Sequence, residues 1–156
     1  MQHSVSDILV NQFSRSLQAL KGILSKAEDF ATERKFDASL FLQMRAAPDM
    51  YPLVKQVQIA CDTAKGSVAR LTEIKAPSFE DKELTVAELQ TRIDKTLDFI
   101  RTATESDFKN YANAKIVFPW NPESHLLGSD YLPGFAIPNF YFHLTTAYSI
   151  LRHNGV

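Results

Sequence analysis

Two pairs of side chains in this sequence have the types and spacing to do chemistry. Asn139 and His143 stand four apart near the C-terminal end, and Gln58 and Asp62 stand four apart in the first half. On α-helices that spacing stacks each pair on one face, with Thr146 one turn beyond His143. If the two faces meet, Asp62, Asn139 and His143 offer two oxygens and an imidazole nitrogen to a divalent cation, and Zn, Ni, Mn or Fe all suit such donors. The same residues allow a metal-free arrangement in which His143 hydrogen-bonds Asp62 as a buried polar pair. An imidazole titrates near working pH, so His143 oriented by Asp62 is also the candidate general base of a polar pocket that would include Gln58 and Thr146.

The remaining reactive residue types carry less. His153 lies where a final helical turn would end, and there a cationic imidazole complements the helix dipole. His3 and His125 have no partner at ligand spacing, and the absence of H-x-x-x-H and H-E-x-x-H excludes a zincin-type site. Cys61 lies between Ala60 and Ala64 on an apolar stripe and reads as a small buried hydrophobe. No G-x-S-x-G, G-x-G-x-x-G or Walker pattern is present, so serine hydrolase and nucleotide-cradling chemistry have no support. Glu80, Asp81 and Glu83 read as a solvated surface cluster in a connector.

Four long helical segments must position these groups. Val5, Ile8, Leu9, Phe13, Leu17, Leu20, Leu24 and Ala27 recur at steps of mostly three and four, which predicts an amphipathic helix from Ser4 to about Arg34 capped by Ser4 or Ser6. A short extra helix opened by Asp37 is expected between Phe36 and Ala47, where Pro48 ends it. The second long helix starts near Met50 to Pro52, with Asp49 as cap, and runs along Leu53, Val57, Ala60, Cys61, Ala64, Val68 and Leu71. Gly66 within it suggests close helix packing. Residues 74–84 have no helical period and form a connector. Thr85-Val86-Ala87-Glu88 is a capping box, and the third helix behind it carries Val86, Leu89, Ile93, Leu97 and Ile100. Between Thr102 and Ser129 the period disappears, and Lys115 to Phe118 with Pro119 and Pro122 predicts a loop or a hairpin-like excursion. The last helical region, Ser129 to His153, contains Pro133, Gly134 and Pro138, so its entry is kinked and a regular helix begins near Pro138. Asn154-Gly155 is its stop signal.

Composition places limits on partners and setting. A chain of 156 residues makes one domain, residues 1–156, with a core large enough to need no disulfide or structural metal. A single cysteine excludes a disulfide framework and multi-cysteine metal sites. A net charge of −1 argues against nucleic-acid binding, and no apolar run reaches the length of a membrane span. The N-terminal residues lack the pattern of an export signal, so the expected setting is cytoplasmic. Aromatic residues crowd the C-terminal third, and consecutive Phe140, Tyr141 and Phe142 cover most of a helix's circumference. At least one ring must then face away from the subunit's own core. The rings can be absorbed by the loop packing over the helix, by a small-molecule ligand pocket or by a second subunit, and a homodimer interface is the expected home for the excess.

Three strings carry a family resemblance: residues 138–156 (PNFYFHLTTAYSILRHNGV), residues 47–53 (APDMYPL) and residues 56–62 (QVQIACD). Together they resemble a bacterial family of unknown function that looks like a branch of the DinB/YfiT-like putative metalloenzyme bundles. The resemblance implies an all-α, up-down-down-up four-helix bundle, often dimeric, with a short extra helix and an irregular loop before the last helix. It also implies a divalent metal held by three histidines, one from the second helix and an H-x-x-x-H pair from the last, and in some members thiol-dependent transferase or hydrolase activity. Carried onto this chain, the last-helix pair falls on Asn139 and His143 and the second-helix ligand falls near Asp62, so one imidazole stands where the pattern has three. The non-catalytic alternative is a homodimeric binding or interaction module built on the aromatic C-terminal third, with Tyr141 and Trp120 in its cleft or contact face.

Overall fold

The computed structural model describes residues 4–156, so the reading of His3 and of the first three residues lies outside it. Its long helices are α1 (Phe13–Glu33), α2 (Leu53–Leu71), α3 (Val86–Ile100) and α5 (Ile137–His153). A π-helical segment, Asp7–Gln12, leads into α1, and Ser4 Oγ accepts from the Asp7 amide at 3.1 Å, as expected of a cap. Ala38–Gln43 is a 3-10 helix opened by Asp37, whose carboxylate accepts from Ser39 N at 2.8 Å. The capping box of α3 is complete. Thr85 Oγ1 accepts from Glu88 N, and Glu88 Oε2 accepts from Thr85 N.

Each long helix packs on two others: α1 on α3 and α5, and α2 on the same two. The apolar stripes read from the sequence therefore close on one another, and Leu9, Phe13, Leu17, Leu20, Leu24, Val57, Cys61, Val68, Leu89, Ile93 and Phe140 are all at 0% exposure. Phe13 and Phe140 stack with ring centroids 3.9 Å apart and tie α1 to α5. Of the three consecutive rings, Phe140 is buried, Tyr141 is half-buried and Phe142 is 54% exposed, as 100° steps around a helix require.

The excursion before the last helix is a hairpin, β1 (Lys115–Phe118) antiparallel to β2 (Asn121–Leu127), with its register disturbed between Ile116 and Phe118. The fold is thus mainly helical rather than wholly so. Pro122 is tolerated because β2 is an exposed strand of a two-stranded sheet. A short α4 (Gly128–Tyr131) and a π-helical turn (Leu132–Ala136) then form the irregular entry to α5. A side chain at Gly128 would collide with the Tyr111 carbonyl and with Leu71, so only glycine lets the chain pass there. Gly66 has a different reason from the close helix packing expected of it. At Gly66 a methyl group would meet the guanidinium of Arg70 on the same helix, not a neighbouring helix. The end of α5 is as read, with Gly155 at φ 93°. Among the described residues, no helix is long and apolar enough to cross a membrane.

Candidate functional site

Helix α2 carries two polar stripes, and they face different helices. Gln56, Thr63 and Ser67, spaced by seven and four, look toward α5 and the segment before it. Gln56 Oε1 lies 2.7 Å from His143 Nδ1, Asn139 Nδ2 donates to Thr63 Oγ1 at 2.8 Å, and Ser67 Oγ lies 3.1 Å from the Tyr131 hydroxyl. Lys55, Gln58, Asp62 and Lys65, spaced by three and four, look toward α3 and the connector. The two stripes are about 100° apart around the helix, the rotation of one residue.

The predicted site residues are divided between these seams. His143 and Asn139 belong to the α2–α5 seam. Asp62 turns to α3, where Arg92 Nη2 donates to both its carboxylate oxygens at 3.0 Å, and Lys65 Nζ lies 3.0 Å away. Gln58 also belongs there, donating to Glu83 Oε2 at 2.8 Å. Thr146 returns its hydroxyl to Phe142 O of its own helix at 2.7 Å. The residue that meets His143 is Gln56, not Asp62. Gln56 stands seven residues before Thr63 within one of the family-like strings, so two turns of helix could have placed it, but an amide carries no charge to draw notice.

The geometry at Gln56 fixes which nitrogen of His143 donates to it. Gln56 is 1% exposed, and its Nε2 donates to Tyr51 O at 3.0 Å. Its Oε1 must therefore accept, so the His143 Nδ1 carries the proton and Nε2 holds the lone pair. Burial disfavours the imidazolium and pushes the His143 pKa below its ordinary value, which favours the neutral ring with its lone pair on Nε2. Phe142 packs edge-on against the imidazole, with centroids 5.0 Å apart. Among the described residues, His143 Nε2 has no hydrogen-bond partner.

On the other seam Arg92 is the centre. It is 2% exposed, and Nη2 binds Asp62 and lies 3.0 Å from Asp81, while Nη1 donates to Glu83 at 2.9 Å and to Glu80 O at 3.2 Å. Burial raises the Glu83 carboxyl, but hydrogen bonds from Arg92 and Gln58 outweigh it and leave the group below the usual range. Burial likewise raises Asp81, and the bond from Lys55 and the charge of Arg92 bring it below its usual value. Glu80 and Asp81 are exposed, as expected of a connector, but Asp81 and the half-buried Glu83 are also tied to the bundle by Lys55 and Arg92. Cys61 is fully buried beside Thr96 and Arg92, and burial pushes its thiol up to about 12, so no thiolate nucleophile is available there. His153 closes α5 in its last turn as read.

A metal bound by the implied set finds a poor match in these residues. Both Asp62 oxygens are engaged by Arg92, both amide atoms of Gln56 are committed to Tyr51 and His143, and Asn139 gives its Nδ2 to Thr63. One neutral imidazole and one amide oxygen remain, and among the described residues no three His, Cys, Asp or Glu side chains gather at ligand geometry.

Residues 5–156 match the family described as a domain of unknown function, DUF1993. The chain belongs to that family. It is also similar to a solved structure, a DinB family member protein from Shewanella denitrificans, with 47% identity and a TM-score of 0.93 over 97% of this chain and 86% of that one. No curated protein matches it.

Proposed function

We propose that this chain is a cytoplasmic, DinB-like up-down-down-up bundle whose working group is His143, acting without a metal as a neutral general base on a small-molecule ligand at the α2–α5 seam. The observation that carries this reading is the relay from Tyr51 O through the Gln56 amide to His143 Nδ1. It orients the ring and leaves a basic nitrogen free, the role that a base-orienting group serves in acid–base catalysis. In a working site, Nε2 would take a proton from an O–H or N–H group of the ligand, and Gln56 would hold the ring as charge develops on it.

Nitrogen-15 spectra of the imidazole test the reading directly. The expected result is a protonated Nδ1, a bare Nε2 at pH 7.5 and a pKa below 6.5. A protonated Nε2 would overturn it, as would stoichiometric divalent metal in protein purified without chelator and lost in His143→Ala.

A second reading, a homodimeric interaction module, draws on the exposed apolar groups of the C-terminal third: Trp120 at 69%, Phe142 at 54%, Val117 at 52% and Tyr148 at 44%. Sedimentation decides it. A dimer weakened by Trp120→Ala or Tyr141→Ala supports the module, and a wild-type monomer removes it.

A further inference from the structure

The α2–α3 seam is closed by a strap of connector that carries little apolar anchorage of its own. Residues 72–85 are non-helical, and the side chains that bind the strap to the bundle are largely charged. Asp81 pairs with Lys55 at 2.5 Å and with Arg92 at 3.0 Å, and Glu83 pairs with Arg92 at 2.9 Å. Phe79 is half-buried, and its ring takes the Lys65 ammonium at 4.0 Å and the Arg92 guanidinium at 5.5 Å. A segment held by charge pairs, with few buried apolar contacts, belongs to the low end of local stability.

The charges show what the strap replaces. Around this seam the two helices contribute Lys55, Lys65, Arg92 and Lys95, opposed by Asp62 and by Glu88, whose carboxylate is committed to the Leu84 and Thr85 amides. That leaves an excess of two positive charges. The strap supplies Asp81 and Glu83, while its Glu80 and Lys82 pair with each other. Arg92 is almost wholly buried, yet its Nε has no hydrogen-bond partner. A cleft of about 390 Å³ already opens between strap and helix, lined by Phe79, by the cations Lys82, Arg92 and Lys95 and by the carboxylates of Glu80, Glu83 and Glu88, and among the described residues Lys95 has no ion-pair partner.

We propose that Asp81 and Glu83 are built-in occupants of a cationic site on the α2–α3 seam, and that a dianionic ligand competing for Arg92 and Lys95 releases the strap. Two carboxylates now sit where the ligand's anionic groups would go, and Phe79 fills the place of a flat apolar portion stacked under Lys65. The site is separate from the His143 seam, so its fate does not depend on that reading.

Succinate and inorganic phosphate, both dianions at pH 8, are the probes, with chloride at matched ionic strength as reference. In the wild-type protein, hydrogen exchange of the amides of residues 78–83 should accelerate saturably with a probe while α2 and α3 stay protected. The double variant D81N/E83Q, no longer self-occupied, should bind the same probe at least about tenfold more tightly, and Lys95→Ala should weaken that binding. Response to succinate alone identifies a carboxylate ligand, and response to phosphate alone a phosphoryl one; either supports the proposal. Strap exchange that is unchanged, slowed or equally affected by chloride overturns it, as does a folded double variant that binds no tighter. If the double variant does not fold, the wild-type exchange result decides.

Discussion

The two seams of α2 solve the same problem, buried polarity between helices, in opposite ways. Toward α5 the polar groups are neutral but for Arg70, which donates to the Tyr131 hydroxyl at 3.3 Å: two amides, hydroxyls and an uncharged imidazole, linked by hydrogen bonds with His143 Nε2 left over. Toward α3 they are ions, and a buried guanidinium holds three carboxylates from two different segments. A neutral network loses one hydrogen bond at a time when cut. A charged one leaves its buried members, Arg92 or Glu83, short of a partner, and a buried charge without a partner costs more than a lost neutral hydrogen bond. The neutral seam can therefore keep a free basic nitrogen at its edge, whereas the charged seam has every carboxylate engaged and serves to hold a strap.

That contrast breaks down if the largest effect is not at Arg92. Arg92→Leu is expected to cost about 3 kcal/mol in urea unfolding, because Glu83, 11% exposed, loses its charged partner, while Asp62 and Asp81, 43% and 38% exposed, regain water. A loss under about 1 kcal/mol would mean that Glu83 is solvated as well. Gln56→Ala should cost less, about 1–3 kcal/mol, leaving His143 Nδ1–H and Tyr51 O unmatched. The same variant should mix the two imidazole tautomers, visible in the nitrogen-15 spectrum.

Acid titration separates the seams without large changes in structure. Because burial holds native His143 below 6.5, the unfolded chain takes up the proton first, so stability declines as pH falls from about 6.5 through the native value. His143→Gln should abolish that early loss. Asp81 and Glu83 are depressed in the fold, so their contribution is full above 3.8 and 4.5 and disappears only as pH falls through their lower native values. Gln56→Glu would sharpen the comparison by turning a neutral contact into an ionic one. Its carboxylate should raise the His143 pKa above 6.5, so that the pair's contribution is present below that pH and lost as pH rises through the new value. The smallest effect is expected at the half-exposed pair of Lys21 and Asp94, 2.6 Å apart, where Lys21→Ala should change stability by less than about 1 kcal/mol in the same unfolding assay.

Much of the scaffold was legible in order along the chain. The stripes of α1, α2 and α3, the Asp37 and Thr85 caps and the Pro-interrupted entry to α5 all depend on residues within a turn or two of one another, and local spacing carries them. The hairpin was half legible: Lys115 to Phe118 read as extended, but its exposed partner β2 has a burial pattern with no alternation to reveal it. The site was legible at one end. His143 and Asn139 stood out by type and spacing, whereas Arg92 lay unremarked in α3 and Gln56 was passed over for the charged Asp62, whose partners are Arg92 and Lys65.

The sequence by itself determined a mainly helical, single-cysteine chain with one well-placed imidazole and a lopsided aromatic content, because helix periodicity and capping are local properties. Only the tertiary structure decided which helix each polar residue of α2 would face. A single residue turns the helix by about 100°, enough to send Asp62 to Arg92 and its neighbour Thr63 to Asn139. No pattern within one helix records where its neighbours stand, and for that reason the separation of the ionic seam from the imidazole seam belongs to the packed fold alone.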